Sequence, residues 1–308
     1  MRKLTVAGVV RSLAMAMAAS VFFVGSDVAA QDKPRVMAVN YPLQYFAKRV
    51  FGDSAEVVFP VPAGVDPSFW RPSIADISQV QGADLILLNG AGFATWVDRV
   101  SLPRSRLVNT SRAVSDRFIV TETITHSHGD GGEHSHEGVA SYTWLDPTMA
   151  SAQATAIAAA AAARGIAPAE AIEAGLSALL SDLDALDALV RAALEPAQGV
   201  AMIATHPRYQ YLAARYGLTI DALEWEAGVA PTAAELSGLS ALMAQTGARV
   251  LIWEAAPPQA AFDAVAAIGL RNVVFEPMAK TPSAGDYPAA FAAAANALAD
   301  AAAEAPAD

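Results

Sequence analysis

Short apolar runs, bounded by glycine, proline or polar residues, alternate along the chain with longer segments of helical periodicity. Seven runs have the length and the valine, isoleucine and leucine content of buried strands: residues 35–41, 55–61, 83–89, 200–205, 219–223, 249–253 and 272–275. Helices are predicted between them at 42–50, 73–81, 209–216 and 232–246, where Ser73 and Thr232 are plausible N-caps. This alternation predicts an α/β fold with parallel sheets flanked by helices.

A long helical region separates the two sets of strands. It begins at Asp146-Pro147, and a stripe of leucine and valine recurs at three- and four-residue steps from Ala171 to Leu194, before Pro196. We therefore predict two α/β lobes joined by one long rigid linker helix. The expected boundaries are an N-terminal lobe at 31–147, a helical linker region at 148–196 and a C-terminal lobe at 197–308.

The first 30 residues have the pattern of a secretory signal peptide. Arg2 and Lys3 precede an apolar stretch at 13–24, and small residues follow at 28–30. We expect cleavage near Gln31 and export of a soluble protein to the periplasm.

Composition excludes several functional classes. The formal net charge of -11 and the lack of a basic patch argue against nucleic-acid binding. The chain has no cysteine, so a thiolate metal site or a thiol nucleophile is impossible. It also contains no Gly-x-Ser-x-Gly, phosphate-loop or His-Glu-x-x-His motif, and we predict that it is not an enzyme.

Four of the five histidines lie in one glycine-rich segment, predicted to be a loop at 125–141. They are His126, His128, His134 and His136, with carboxylates interspersed among them. Neutral imidazole is the commonest metal ligand in proteins, and the glycines would let the chain wrap an ion. The pattern predicts metal binding, either as a capture loop or as part of the site itself.

Three further candidate ligands follow predicted strands. His206 comes after 200–205, Glu254 after 249–253 and Glu276 after 272–275. Side chains at the carboxyl ends of parallel strands point into the ligand crevice. Each residue alone is equally compatible with a structural role.

Several motifs resemble those of the substrate-binding proteins of zinc and manganese ABC importers, over nearly the whole chain after the signal. They are Asn40-Tyr41-Pro42, Val61-Pro62-Ala63-Gly64-Val65-Asp66-Pro67, the segment 83–90, Trp144-Leu145-Asp146-Pro147 and the segment 205–218. The resemblance implies two lobes joined by a rigid helix and a metal site in the cleft between them. It implies His206 and Glu276 as metal ligands, and a histidine at position 206 favours zinc over manganese.

Two positions depart from the family pattern. Ser68 and Tyr142 stand where the resemblance implies histidine ligands. Loop histidines, foremost His134 and His136, could replace the lost pair; the two residues could mark a different metal or a metal chelate; or the cleft site could be vestigial, with only the loop binding metal. We favour the first explanation.

The sequence thus predicts a periplasmic solute-binding protein that captures a divalent ion, zinc, for the membrane permease of an ABC importer. In this hypothesis His206, Glu276 and two loop histidines form a roughly tetrahedral site, and a monomer is expected. The alternatives are a binding protein for a metal chelate or organic solute, and a periplasmic metal chaperone or buffer.

Overall fold

The computed structural model describes residues 33–121 and 138–304, and these residues contain two parallel sheets. The first sheet has the strand order β2-β1-β3-β4. Its strands are β1 (Arg35–Ala38), β2 (Glu56–Val58), β3 (Leu85–Leu88) and β4 (Leu107–Asn109). The helices α1 (Tyr41–Phe51) and α2 (Ile74–Gly82) connect the first three strands. This unit is the N-terminal lobe.

A short antiparallel pair follows the first sheet. Strand β5 (Val120–Thr121) pairs with β6 (Gly138–Val139), with Val120 opposite Val139 and Thr121 opposite Gly138. Thr121 and Gly138, which flank residues 122–137, are therefore paired neighbours. The four histidines at 126, 128, 134 and 136 lie outside the described residues.

The second parallel sheet has the order β10-β9-β7-β8 and forms the C-terminal lobe. Its strands are β7 (Ala201–Ala204), β8 (Thr219–Ala222), β9 (Val250–Trp253) and β10 (Arg271–Val274). Its helices are α5 (Gln210–Tyr216), α6 (Ala233–Thr246), α7 (Gln259–Ala267) and α8 (Tyr287–Ala303). The predicted α/β class with two parallel sheets is confirmed.

Two long helices connect the lobes, α3 (Pro147–Arg164) and α4 (Ala169–Leu194). Asp146 caps α3 by accepting from the backbone N–H of Thr148 at 2.8 Å. The α4 stripe buries Leu179, Leu183, Leu186, Val190 and Leu194. Leu189 belongs to the predicted stripe but is 48% exposed, because its position turns it away from the buried face. Helix α4 packs against α1, α3 and α8, so it contacts both lobes.

The element boundaries differ from the prediction where local capping decides them. The first strand ends at Ala38 because Asn40 accepts from the backbone N–H of Leu43 at 3.0 Å and starts α1 there. The caps at Ser73 and Thr232 are confirmed, each with the reciprocal bonds of a capping box. The elements β4, β5, β6 and α7 were not predicted, because their apolar patterns are short or rich in alanine.

One hydrophobic core extends across both lobes, and a smaller cluster lies within the C-terminal lobe. Hydrogen bonds also link the lobes; among them, Trp144 Nε1 donates to Pro277 O at 2.7 Å, and Tyr287 Oη donates to Trp144 O at 2.5 Å. Among the described helices, none combines the length and hydropathy that a membrane span requires.

Candidate metal centre in the cleft

The C-terminal lobe places four ionisable side chains just beyond the ends of its strands. His206 follows β7, Glu224 follows β8, Glu254 follows β9 and Glu276 follows β10. Because all four strands are parallel, their carboxyl ends lie at one edge of the sheet, which faces the cleft. The fold therefore gathers one imidazole and three carboxylates at a common edge.

His206 has one ring nitrogen fixed and the other directed at a carboxylate. Its Nδ1 lies 2.9 Å from the backbone carbonyl oxygen of Trp225, which can only accept a hydrogen bond. In the neutral ring, Nδ1 therefore carries the proton and Nε2 presents its lone pair. Nε2 lies 3.6 Å from Glu224 Oε2. A backbone carbonyl that orients a histidine in this way is typical of metal-binding imidazoles.

Glu254 is buried, and its carboxylate lies between Arg208 and His206. Its Oε2 accepts from Nε of Arg208 at 3.1 Å, and its Oε1 lies 3.8 Å from Nδ1 of His206. Its backbone N–H donates to Thr205 Oγ1 at 3.3 Å. The carboxylate is thus held in place from the backbone and from the Arg208 side chain.

The N-terminal lobe contributes Asp66, Ser68 and Tyr142. The Ser68 hydroxyl donates to Asp66 Oδ1 at 2.5 Å, and the Ser68 backbone N–H donates to the same oxygen at 2.8 Å. Burial raises the pKa of Tyr142 well above its usual value, against the attraction of the nearby Arg208 cation and a hydrogen bond with Ser68. The two positions that depart from the family pattern therefore lie together, with a neutral phenol and a hydroxyl that is already bonded.

Glu276 lines a cavity of about 300 Å³ in the cleft, together with Asp66, Tyr142, Glu254 and Lys280. Its Oε2 accepts from the backbone N–H of Ser283 at 3.3 Å. The ion-pair contacts of His206 within the described residues are with Glu224 and Glu254. His206 and Glu276 thus stand at the same sheet edge, and each has polar partners of its own.

The part of the chain at 33–121 and 138–304 contains no group of three or more histidine, aspartate or glutamate side chains arranged to hold a metal ion. Within that part lie the two ligands that the resemblance implies, His206 and Glu276, and the further strand-end candidate Glu254. The other four, His126, His128, His134 and His136, lie outside the described residues, so their role remains a prediction. A complete centre needs groups beyond the described side chains or a rearrangement of those present.

Two cleft residues were not among the sequence predictions. Glu224 follows a strand by two residues, so the strand-end argument that selected Glu254 and Glu276 could have selected it. Arg208 lies two residues after His206, but arginine is not a metal ligand, and its position between two carboxylates depends on tertiary structure.

Comparison with known proteins identifies the family. The profile described as ZnuA, zinc-uptake complex component A, periplasmic, matches residues 36–301. The chain belongs to this family. Membership confirms the resemblance seen in the motifs. The family is defined by uptake of a solute and not by catalysis, which agrees with the prediction that the chain is not an enzyme.

Individual relatives are distant. The zinc-binding lipoprotein AdcA of Streptococcus pneumoniae is 29% identical over 240 residues, which are 74% of this chain and 47% of that protein. The high-affinity zinc uptake system protein ZnuA of Bacillus subtilis is 26% identical over 235 residues, 75% of this chain and 73% of that protein. The chain spans about half the length of the first of these relatives.

Solved structures share the fold. Zn(II)-bound AdcA from Streptococcus pneumoniae matches 89% of this chain and 59% of its own, with a TM-score of 0.74 and 22% identity. FpvC from Pseudomonas aeruginosa in complex with Mn²⁺ matches 88% of this chain and 98% of its own, with a TM-score of 0.73 and 22% identity. At this identity the likeness supports the two-lobed architecture.

Proposed function

We propose that the chain is the periplasmic binding component of a metal importer and that its cargo is zinc. The observation that carries the proposal is the orientation of His206 at the cleft edge of the second sheet. Its Nδ1 is held by Trp225 O, and its Nε2 remains available as a ligand. Relatives described as zinc-binding or zinc-uptake proteins support the choice of zinc over other divalent ions.

The charges of the cleft favour a cation. Four carboxylates, Asp66, Glu224, Glu254 and Glu276, face two basic side chains, Arg208 and Lys280. The surplus of negative charge in a partly enclosed site attracts a divalent ion and opposes an anion. Carboxylate oxygen and imidazole nitrogen are both zinc ligands, at distances of about 2.0–2.2 Å.

The remaining ligands are proposed to come from the segment between β5 and β6. His134 and His136 precede the start of β6 by four and two residues and are proposed to bind the ion together with His206, with His126 and His128 as further ligands or as capture groups. Glu276 stays a predicted fourth ligand, and Glu224 is a second carboxylate candidate because of its contact with His206.

Capture and release follow from this arrangement. The ion would bind between His206 and the loop histidines, and the loaded protein would dock as a monomer on the membrane permease of an ABC importer. The signal peptide at 1–30, with cleavage near Gln31, would deliver the protein to the periplasm where such a permease is loaded. Because α4 packs against both lobes, we expect lobe rotation to contribute little to the change on binding.

A second candidate function is capture of a metal chelate or small organic solute. The cleft cavity of about 300 Å³ lies at the lower end of the range for small-molecule sites. Its lining combines carboxylates with apolar groups such as Pro67, Met278 and Ala279. A bare ion needs no such volume, so the cavity is the specific observation that favours this alternative.

Titration calorimetry of the metal-free protein with zinc tests the proposal. We expect micromolar or tighter binding, a loss of at least about 100-fold (about 2.7 kcal/mol) in His206→Ala, and a similar loss in the His134→Ala/His136→Ala double variant. Failure of the wild-type protein to bind any free divalent ion would reject the proposal and favour the chelate alternative.

Two controls make the result specific. The His126→Ala/His128→Ala double variant removes the same number of imidazoles from the same segment, and a smaller loss is expected from it. Glu173→Gln changes an exposed carboxylate on α4 and should leave zinc binding unchanged. Equal losses in both double variants would mean that the loop acts as a general collector and not through His134 and His136.

A further inference from the structure

Arg208 lies between two carboxylates that belong to different lobes. Its Nε donates to Glu254 Oε2 of the C-terminal lobe at 3.1 Å, and its Nη2 donates to Asp66 Oδ2 of the N-terminal lobe at 3.1 Å. Only 8% of the side chain is exposed. A charge-assisted bond at each end of the guanidinium fixes its position across the cleft.

Two aromatic rings also contact the guanidinium. The Arg208 Cζ atom lies 4.8 Å from the ring centroid of Tyr142 and 5.4 Å from that of Phe69. Aromatic faces attract cations at such distances. Phe69 is 66% exposed, and it contacts Arg208 at the cleft. Asp66, Glu254, Tyr142 and Phe69 together form what we call the cation cage.

The cage contains two carboxylates that would otherwise be open to a cation in the cleft. Asp66 and Glu254 both line the cleft cavity, and Glu254 Oε1 lies 3.8 Å from the Nδ1 atom of the neighbouring His206 ring. With the guanidinium in place, Asp66 and Glu254 share one positive charge of the chain itself, so the cluster keeps one net negative charge instead of two. An incoming cation is therefore attracted less strongly to these carboxylates, and it meets the guanidinium between them.

From these contacts we propose that Arg208 is a tethered competitor of the cargo, which determines the affinity and selectivity of the cleft. The guanidinium occupies the cation cage in the metal-free protein, and a divalent ion gains Asp66 and Glu254 only when the side chain leaves. This inference rests on the proposed function, since it assumes that a cation binds beside His206. It assigns to Arg208 an effect on cargo affinity that a purely structural ion pair would not have.

The competition has two physical consequences. Arginine stays protonated at all ordinary pH values, so the guanidinium is displaced by cation binding and not by deprotonation. Ions that gain most from carboxylate and imidazole ligands displace it, and weakly bound ions do not. The cleft therefore rejects low-affinity cations while giving up some affinity for the cargo.

The test separates the cleft from the loop. In a background with His126, His128, His134 and His136 changed to alanine, zinc affinity is compared between Arg208 and Arg208→Gln by competition with a chromogenic chelator. We expect zinc binding at least tenfold tighter in Arg208→Gln, and a lower melting temperature of its metal-free form. Arg112→Gln removes an exposed arginine and should change neither quantity.

Chemical rescue distinguishes competition from a structural role. Arg208→Ala leaves space for a free guanidinium, so millimolar ethylguanidinium should raise the metal-free melting temperature and weaken zinc binding again. Arg208→Lys keeps the positive charge but cannot bond a carboxylate at each end as the guanidinium does, so it should bind zinc with intermediate affinity. This variant replaces the others in the test if they fail to fold.

The outcomes are distinct for the two proposals. Zinc binding that is unchanged or weaker in the folded Arg208 variants, or insensitive to ethylguanidinium in Arg208→Ala, overturns the role of Arg208 while the proposed function stands. Absence of zinc binding in the chain with its histidines intact overturns the proposed function itself.

Discussion

The two lobes contribute unequally to the cleft. The C-terminal lobe provides an imidazole whose Nε2 is free of backbone bonds, and a carboxylate, Glu224, beside it. In the N-terminal lobe, Ser68 bonds to Asp66, Asp66 also binds Arg208, and Tyr142 is a buried neutral phenol. One lobe directs an imidazole and a carboxylate into the cleft, and the polar groups of the other are already bonded to each other and to Arg208 of the C-terminal lobe.

This difference explains how a chain can keep the family fold while changing its site. The strands and the connecting helices fix where the lobes meet, but each ligand position depends on a single side chain at a strand end. Serine and tyrosine at the two positions where the resemblance implies histidines leave the fold intact, and the proposed site then takes its ligands from other groups. The His-rich segment between β5 and β6 is the source of such groups nearest in sequence to Tyr142.

The largest expected effect concerns the two carboxylates that bind Arg208. Glu254 has 8% of its side chain exposed and Asp66 has 35%. Removing the buried partner leaves the buried guanidinium with only the more exposed Asp66, so Glu254→Gln should lower the free energy of unfolding by about 3 kcal/mol. Asp66→Asn should lower it by less than about 1 kcal/mol, because water screens the more exposed pair. Urea unfolding of both variants measures the difference, and equal losses would contradict the asymmetry between the lobes.

A smaller effect is expected where α4 meets the N-terminal lobe. A Cβ at Gly175 would lie 2.6 Å from Arg49 O and 2.7 Å from Val50 O, both backbone atoms of α1. Gly175→Ala should therefore destabilise the protein by about 1–3 kcal/mol, despite the better helix propensity of alanine.

The matched control lies in the C-terminal lobe. Gly238 lies within α6, and a Cβ added there would have nothing within 4 Å, so Gly238→Ala should stabilise by about 0.5–1 kcal/mol. Thermal unfolding of the two variants should shift in opposite directions. A neutral Gly175→Ala would mean that α4 and α1 can separate without a loss of stability.

Much of the fold was predictable because its signals are local. Apolar runs of four to seven residues defined most strands, and Ser73, Thr232 and Asp146 marked helix starts that the structure confirms. The strand ends were less predictable, since caps such as Asn40 begin a helix inside an apolar run. Leu189 shows the limit of a periodic stripe, because one leucine in it faces outward.

The site was predictable only in part. The strand-end rule and the family motifs selected His206, Glu254 and Glu276, which the fold does place at one sheet edge. Two sets of contacts join residues that are separated in sequence. Glu224 pairs with His206, and Arg208 lies between Asp66 and Glu254. No spacing or composition indicates such contacts, because they depend on how the two lobes meet.

The smallest expected effect is on zinc affinity when Tyr142 of the N-terminal lobe is changed. Burial raises the pKa of its phenol well above the usual value of 10.0, so it stays protonated at pH 7 and pH 9. A protonated phenol is a poor ligand, and Tyr142→Phe should change zinc affinity by less than about threefold (about 0.7 kcal/mol) at either pH.

A phenolate ligand would instead release one proton on binding, so affinity would rise about tenfold per pH unit and this rise would vanish in the variant. Competition titrations at the two pH values decide between these outcomes. Because Ser68 keeps its own bond to Asp66 in the variant, an unchanged affinity would place the ligands of the ion on the C-terminal lobe and the loop.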